Sequence, residues 1–504
     1  MDFFDVAILI LVFGLVFKKL ISQKVYVVSL ILSALVVVVQ ILMVGYKWQY
    51  VPLYLIIVIS AINYKIGFRF NNKILKSLSL SFLFLLFLSS GLLIYYLPVP
   101  KFTVEDKAYS VGYEEIHIVV EGRAQPKAFY ELSNLDSLGT RELLVDIYYP
   151  SSSETKPVQL FKNASSQWGV TVINYLNRTW GINLPTFLFS HLNLSYFDVG
   201  NDLSKLTNKS PVLIYTHGWA GEKIFATDQL ITIASQGYVV VAIDHTGVAM
   251  FTELPSGTIY NTGSSENSTK VFDVMYEMSV DIENTISYLE NKNYFADFSN
   301  ISVLGHSTGG GSGHLFCLRN NCNRLILQDP FFVPVIEELS AIELQTDTYF
   351  IYSEDWYNGY EENEELSEID VYRNFVINKS LARGYFLTNS AHYDFVAFGS
   401  ISPLTKYTFL KGSIDYKDSL LANNRFNKEA LNLSDFIKSI TVDSSDLDFT
   451  LKHGLIECIN SVFTKHIGQY KYTDRPIQCS DIKRETLYIK DNNKWDKEDS
   501  KEDN

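Results

Sequence analysis

Residues Asn300-Ile301-Ser302-Val303-Leu304-Gly305-His306-Ser307-Thr308-Gly309-Gly310-Gly311 constrain the fold of this chain more than any other stretch. A short β-branched run leads straight into Gly-x-Ser-x-Gly, and small residues able to begin a helix follow. Strand, sharp turn and helix in that order demand a strained backbone at residue 307, and side chains at 305 and 309 would collide with the turn. The competing reading of the glycines is a phosphate cradle. No Gly-Lys-Ser/Thr ending follows, however, and no Gly-x-Gly-x-x-Gly stands at the strand end. The pentapeptide alone recurs by chance in long chains, so its meaning depends on its surroundings.

Those surroundings are strands alternating with helices. Val212-Leu213-Ile214-Tyr215-Thr216 is a short apolar strand, residues 226–236 suit a helix closed by Gly237, and Tyr238 to Asp244 is the next strand. An amphipathic helix over about Val271 to Glu290 leads to the strand before Ser307. Arg324 to Leu327, Thr348 to Tyr352 and Tyr385 to Leu387 continue the series. Continuous apolar runs separated by helices predict an α/β fold, a mostly parallel central sheet with helices on both faces. Chemistry in such sheets collects at the carboxyl ends of the strands. Upstream, Glu115 to Val120 and Arg141 to Pro150 alternate like an antiparallel pair, whereas residues 151–210 form a long irregular insertion of the kind that serves as a lid or wrapping loop.

The first hundred residues obey a different constraint. Four apolar segments, about Phe3 to Phe17, Val25 to Gly45, Tyr50 to Ile62 and Leu78 to Leu97, predict a four-helix transmembrane anchor over residues 1–100. The second and fourth have the full length of a span, and the first and third are shorter. A cleaved signal peptide is a poor fit, because the segments repeat and no basic region precedes the first. Lys18, Lys19 and Lys24 follow the first segment, and Lys65, Arg69, Lys73 and Lys76 follow the third, whereas the other connection has only Lys47. The positive-inside rule puts both basic loops in the cytoplasm, so the protein is predicted to be multi-pass, with everything after Leu97 extracytoplasmic. That outer part divides into a domain over 101–489 and a charged, disordered tail over 490–504.

Composition narrows the partners. With 47 % hydrophobic residues and a net charge of -14, the chain is not disordered, and without a basic stripe it is not a nucleic-acid binder. Cys317, Cys322, Cys458 and Cys479 all fall on the outer side, where two disulfides are permitted, and their spacing matches no zinc pattern. The expectation is a bilayer partner and no metal or other cofactor.

A second motif upstream supports the first. Tyr215-Thr216-His217-Gly218-Trp219-Ala220-Gly221 follows an apolar strand, and a His-Gly turn there lets the backbone N–H of Trp219 face the same site as that of Thr308. Two such amides make an oxyanion hole, whose donors are worth ~3 kcal/mol each to a tetrahedral intermediate. Ser307 is then the candidate nucleophile, and it needs a histidine to accept its proton and an acid to orient that histidine. His392, in Asn389-Ser390-Ala391-His392-Tyr393-Asp394-Phe395 after the last strand, is the candidate base. Asp329 and Asp355 both end later strands, and spacing alone leaves the acid open between them. Either choice follows the order Ser, Asp, His expected of an α/β-hydrolase.

Pro211 to Gly221, Gly237 to His245 and Gly305 to Gly310 together resemble the platelet-activating factor acetylhydrolase family, in its plasma and intracellular type II branch with bacterial relatives. Asp146 to Pro150, Tyr352-Ser353-Glu354 and His392 to Phe395 are similar to further family segments, and the resemblance runs in order from about Arg141 to Phe398. It implies a triad of Ser307, Asp329 and His392, with Trp219 and Thr308 as oxyanion donors. Two departures touch the acyl pocket: Thr308 stands where the family has an aromatic residue, and His245-Thr246-Gly247 replaces a charged turn.

The resemblance, which does not cover the apolar segments, implies a serine esterase that removes acetyl, short or oxidised acyl groups from the sn-2 position of phospholipids, and those segments make the expected enzyme membrane-anchored. A lipase, cutinase-like or cell-envelope esterase acting on other esters is the alternative within hydrolases. A catalytically inactive receptor or scaffold is the alternative outside them. Transport through the spans has little support, since they carry almost no ionisable residues.

Overall fold

The computed structural model describes residues 2–67, 71–104, 107–161, 168–263, 268–331, 335, 346–353, 356, 382–387, 392–396 and 401–404, with three two-residue strands beyond residue 481. The chain divides into two compact units. One comprises Met1–Lys101, Gln159–Tyr196 and Ile401–Leu404; the other comprises Phe102–Val158, Phe197–Ser400 and Thr405–Asn504.

The second unit is built on a mixed sheet. Its eight main strands are β1 (Ser110–Ala124), β2 (Thr140–Ser151), β3 (Ser210–Thr216), β4 (Val239–Asp244), β5 (Ala296–His306), β6 (Arg324–Gln328), β7 (Asp347–Ser353) and β8 (Ala382–Leu387). They lie in the order β1-β2-β4-β3-β5-β6-β7-β8, with Gly200–Asn201 beside β1 and Ile482–Lys483 beside β8. β2 runs antiparallel to β1 and β4, so the predicted antiparallel pair belongs to the main sheet. From β4 to β8 every pairing is parallel. Every residue of β4 is buried, as a strand covered on both faces requires.

A single-turn helix, α5 (Lys127–Tyr130), lies between β1 and β2, and helices α7 (Thr227–Ala234), α8 (Ser268–Asn291) and α9 (Thr308–Arg319) occupy the crossovers. α8 turns Val271, Met275, Ile282, Ile286 and Leu289 into the main core beside Val241 and Val303. Cys317 and Cys322 form a disulfide between the end of α9 and the start of β6. Cys458 and Cys479 lie outside the described residues, as does most of 490–504, of which Lys490–Asp491 and Lys494–Trp495 pair with each other.

The α8 face that enters the core also carries a charge. Asp281 is fully buried and collects four donors: Arg123 Nη1 (2.7 Å) and Arg141 Nε (3.0 Å) at Oδ1, and Arg141 Nη2 (2.5 Å) and His245 Nδ1 (3.1 Å) at Oδ2. Burial alone would raise its pKa, but the two guanidiniums and His245 hold it far below the usual carboxylate range. Arg141 also donates to the Thr246 carbonyl at 2.7 Å and lies 4.4 Å over the Phe129 ring. Burial keeps His245 neutral, so with Nδ1 donating to Asp281 its Nε2 accepts from Thr216 Oγ1 at 3.0 Å. Thr216 in turn meets Ser312 Oγ of α9 at 3.0 Å. One carboxylate therefore ties β1, β2, α8 and the turn after β4 to the end of β3 and to α9.

Residues 1–101 of the first unit include the α-helices α1 (Phe3–Val16), α2 (Gln23–Met43), α3 (Val51–Ile66) and α4 (Lys73–Tyr96). Three helices in this region, Gln23–Met43, Trp48–Ile66 and Lys73–Tyr96, are long and apolar enough to cross a membrane. The 14 residues of α1 reach about 21 Å at 1.5 Å per residue, short of a hydrocarbon core of about 30 Å. α1 is nevertheless central, with Ile8 and Val12 fully buried against α2, α3 and α4. Lys47, the one basic residue between α2 and α3, is buried and paired with Asp2 at 2.7 Å and Asp5 at 3.0 Å. Its charge is therefore neutralised, which deepens the asymmetry between this connection and the basic ones.

Residues 159–196, from within the insertion, pack at the same end of the helices. Gln159 Nε2 donates to the carbonyls of Val44 and Leu194 at 2.9 and 2.8 Å, and Trp48 Nε1 donates to Leu188 at 3.2 Å. The Trp48 ring meets Phe187 edge-on, and Ser402 Oγ caps the Tyr96 carbonyl at 2.6 Å. The segment forms α6 (Trp168–Trp180), whose Trp168 and Ile173 are buried, and a 3-10 stretch over Thr186–Leu194.

Replacing Arg141 by Met removes two donors from a carboxylate that stays buried. The expected loss is about 3–5 kcal/mol of stability, the usual cost of stripping one partner from a buried pair, read as a shift in the denaturation midpoint of the second unit's unfolding.

Candidate active site

Ser307 stands between the end of β5 and the start of α9 with φ 55° and ψ -125°. Three backbone bonds hold it there: its N–H donates to Gln328 at 3.0 Å, and its carbonyl accepts from Gly310 at 2.8 Å and Phe331 at 2.9 Å. A β-carbon on Gly309 would lie 2.2 Å from the Thr216 carbonyl oxygen, and one on Gly305 would lie 2.6 Å from that of Gly309. The collisions expected at 305 and 309 are therefore with fixed backbone.

The His-Gly turn lies directly against this corner, since a β-carbon on Gly218 would come within 2.9 Å of Ser307 Cβ. His217 braces the turn. Its Nδ1–H donates to the Gly218 carbonyl at 2.7 Å, and its Nε2 accepts from the His245 N–H at 3.1 Å. A ring that donates once and accepts once is neutral, and burial, with His245 beside it, pushes its pKa down to about 3. Ala220, with φ 50°, donates to Val248 at 3.0 Å, and Gly221 donates back to Gly218 at 2.9 Å. Just ahead of these tied amides, the N–H of Trp219 makes no backbone hydrogen bond among the described residues. Thr308, as the first residue of α9, has a donor with no intrahelical acceptor.

Asp329 follows β6 with φ 39°, its N–H on the Ile351 carbonyl at 2.9 Å. The carboxylate is buried. Oδ1 accepts from Ser353 N at 2.6 Å, and Oδ2 accepts from Ser353 Oγ at 2.5 Å and from His392 Nδ1 at 3.2 Å. The His392 ring stacks on Trp356, with centroids 3.9 Å apart, and packs on His306 at 4.6 Å. His306 also donates from Nε2 to the His392 carbonyl at 3.1 Å. The Ser307 hydroxyl has no hydrogen-bond partner among the described residues.

Five of the six residues singled out from sequence thus converge: Ser307, Thr308, Trp219, Asp329 and His392. The sixth, Asp355, lies outside the described residues. Sequence reasoning missed the parts that do the bracing, namely Ser353 on the acid, Trp356 and His306 on the histidine, and His217 on the turn. Ser353 had a signal, a hydroxyl at the carboxyl end of the strand beside β6. Among the described residues no group of three or more His, Cys, Asp or Glu is arranged to hold a metal ion.

The model of the family described as platelet-activating factor acetylhydrolase, isoform II, matches residues 132–256. That span holds the His-Gly turn and Trp219 and ends before Ser307, and it bears out the resemblance carried by the sequence motifs. Among solved structures, the ferulic acid esterase from Streptomyces cinnamoneus is similar with a TM-score of 0.50 and 16 % identity, over 69 % of this chain and 97 % of that one. This likeness is one of fold, the α/β-hydrolase sheet. No curated protein sequence matches the chain.

A neutral buried His217 makes stability depend on pH. Its unfolded form protonates near the ordinary value of 6.5 and its folded form only near 3, so its contribution is complete above about pH 6.5 and drains away as pH falls below that. Compared with His217→Gln, the wild-type protein should lose up to about 1.4 kcal/mol per pH unit between pH 6 and 4, measured as the difference of two denaturation series.

Proposed function

We propose that this chain is a membrane-anchored serine esterase. The observation that carries the reading is the bond from His392 Nδ1 to a buried Asp329, formed beside a serine held at a strained strand-to-helix corner. In this reading Asp329 fixes the His392 tautomer with Nδ1 protonated, which leaves Nε2 free to take the Ser307 proton as Oγ attacks an ester carbonyl. The oxyanion that forms is met by the N–H groups of Trp219 and Thr308. The imidazolium then gives its proton to the leaving alkoxide, and water repeats the sequence on the acyl-enzyme.

The substrate reading leans on the family match over 132–256 and favours phospholipids with acetyl or other short acyl groups at sn-2. The address follows from charge. Whether three or four helices span, the connections after α1 and after α3 share one side of the membrane, and the segment after α4 lies on the other. Basic residues crowd the former, so the positive-inside rule puts the second unit outside the cytoplasm. The Cys317–Cys322 disulfide suits that oxidising side.

Ser307→Ala in the full-length protein should lower turnover of p-nitrophenyl acetate on the order of 10⁴-fold or more, and abolish labelling by a fluorophosphonate, with the unfolding transition unchanged. Undiminished turnover would refute the assignment. Asp329→Asn should cost about 10⁴-fold in kcat while Asp355→Asn stays near wild type, and the opposite pattern would move the acid to Asp355. Acetyl-phospholipid should be cleaved faster than long-chain phospholipid or simple esters. Preference for the simple esters would favour a cell-envelope or lipase-like role.

A further inference from the structure

His306 is the variable residue before the serine in Gly-x-Ser-x-Gly, a place where side-chain identity is free as far as the corner's own backbone is concerned. Here it is almost wholly buried and joins three parts of the site. Its Nε2–H donates to the backbone carbonyl of His392 at 3.1 Å, and its ring packs on the His392 imidazole at 4.6 Å with 32° between planes. Its Nδ1 lies 3.3 Å from where a β-carbon on Gly218 would stand. A third ring, Phe395 in the same short 3-10 turn as His392, packs on it at 6.0 Å. The same turn is also tied to α7, where Gln229 Nε2 donates to the Phe395 carbonyl at 2.9 Å.

We propose that His306 is a positioning residue for the base: one hydrogen bond from the residue next to the nucleophile sets the distance of His392 from both Ser307 and Asp329. The inference rests on the serine-esterase reading above and deepens it. Adjacent residues cannot drift apart, so a contact from His306 to His392 fixes the base relative to Ser307 with no direct bond between them. The proton on Nε2 must be present for this, and a neutral ring of one tautomer supplies it. Burial, reinforced by the neighbouring His392, holds the His306 pKa well below the ordinary value, so the ring stays neutral when His392 takes up its proton. A protonated His306 would repel the imidazolium, whereas a neutral ring against it offers an aromatic face.

Two substitutions separate the hydrogen bond from the ring. His306→Gln keeps an N–H donor at about the reach of Nε2 and loses the ring; His306→Phe keeps the ring and loses the donor. In full-length, detergent-solubilised protein, His306→Phe should lower kcat for p-nitrophenyl acetate ~10- to 100-fold with KM little changed, and slow fluorophosphonate labelling of Ser307 in proportion. Its low-pH limb in kcat/KM should move acidward by about half a unit or more, because a looser His392–Asp329 pair stabilises the imidazolium less. His306→Gln should recover most of the rate and the wild-type limb. Equal rates and equal limbs in wild type and both variants, with wild-type Ser307 still labelled, would overturn the inference and leave the esterase reading standing. Equal loss in both variants with an unmoved limb would also overturn it, since that pattern marks general destabilisation. An unlabelled wild type would overturn the esterase reading and this inference with it.

Discussion

The carboxylate of Asp281 is the interaction on which the second unit depends. An ionised group in a low-dielectric core persists only if its lone pairs are met by donors and its charge is balanced. Here four donors arrive from Arg123, Arg141 and His245, that is from β1, β2 and the turn after β4. His245 passes the constraint on through Thr216 to Ser312, one turn into the helix that begins after Ser307. The floor beneath the candidate nucleophile is therefore polar and cross-linked by hydrogen bonds. Preorganisation of this kind is what distinguishes an oxyanion site from two amides that merely lie near each other.

Above that floor the backbone is strained where the chemistry is proposed to occur. Ser307, Ala220 and Asp329 all have positive φ, a region unfavourable for residues with a side chain, and each sits in one of the three segments that converge. Each is held by bonds to its neighbours: Ser307 to Gln328 and Phe331, Ala220 to Val248, Asp329 to Ile351. The strain is thus supported by the neighbouring strands and turns.

Much of this was legible in the sequence, for identifiable reasons. Val239 to Ile243 reads as a doubly covered strand because no polar residue interrupts it, and Gly309 is required because its β-carbon would meet the Thr216 carbonyl. Strand order was not legible, since nothing in β2 says that it pairs with β4, a strand almost a hundred residues later. Asp281 was invisible for a different reason: a carboxylate on an amphipathic helix reads as solvent-facing until the arginines that meet it are known. Spacing leaves Asp329 and Asp355 equal as acid candidates; the His392 bond goes to Asp329, and Asp355 lies outside the described residues. The first apolar segment predicts a span, and α1, at 14 residues, is the shortest of the four helices and buries Ile8 and Val12 among the other three.

The packing of residues 159–196 on the ends of the N-terminal helices changes what those helices are for. These residues are encoded between β2 and β3, yet their contacts through Gln159, Trp48 and Leu188 belong to the helical unit. Cutting the chain at residue 101 would strip them of the Val44, Gly45 and Trp48 surface and bare Leu188 and Leu194. The helices are therefore not a severable leash: the protein is interleaved, and a truncation meant to make it soluble would unroof part of what it keeps.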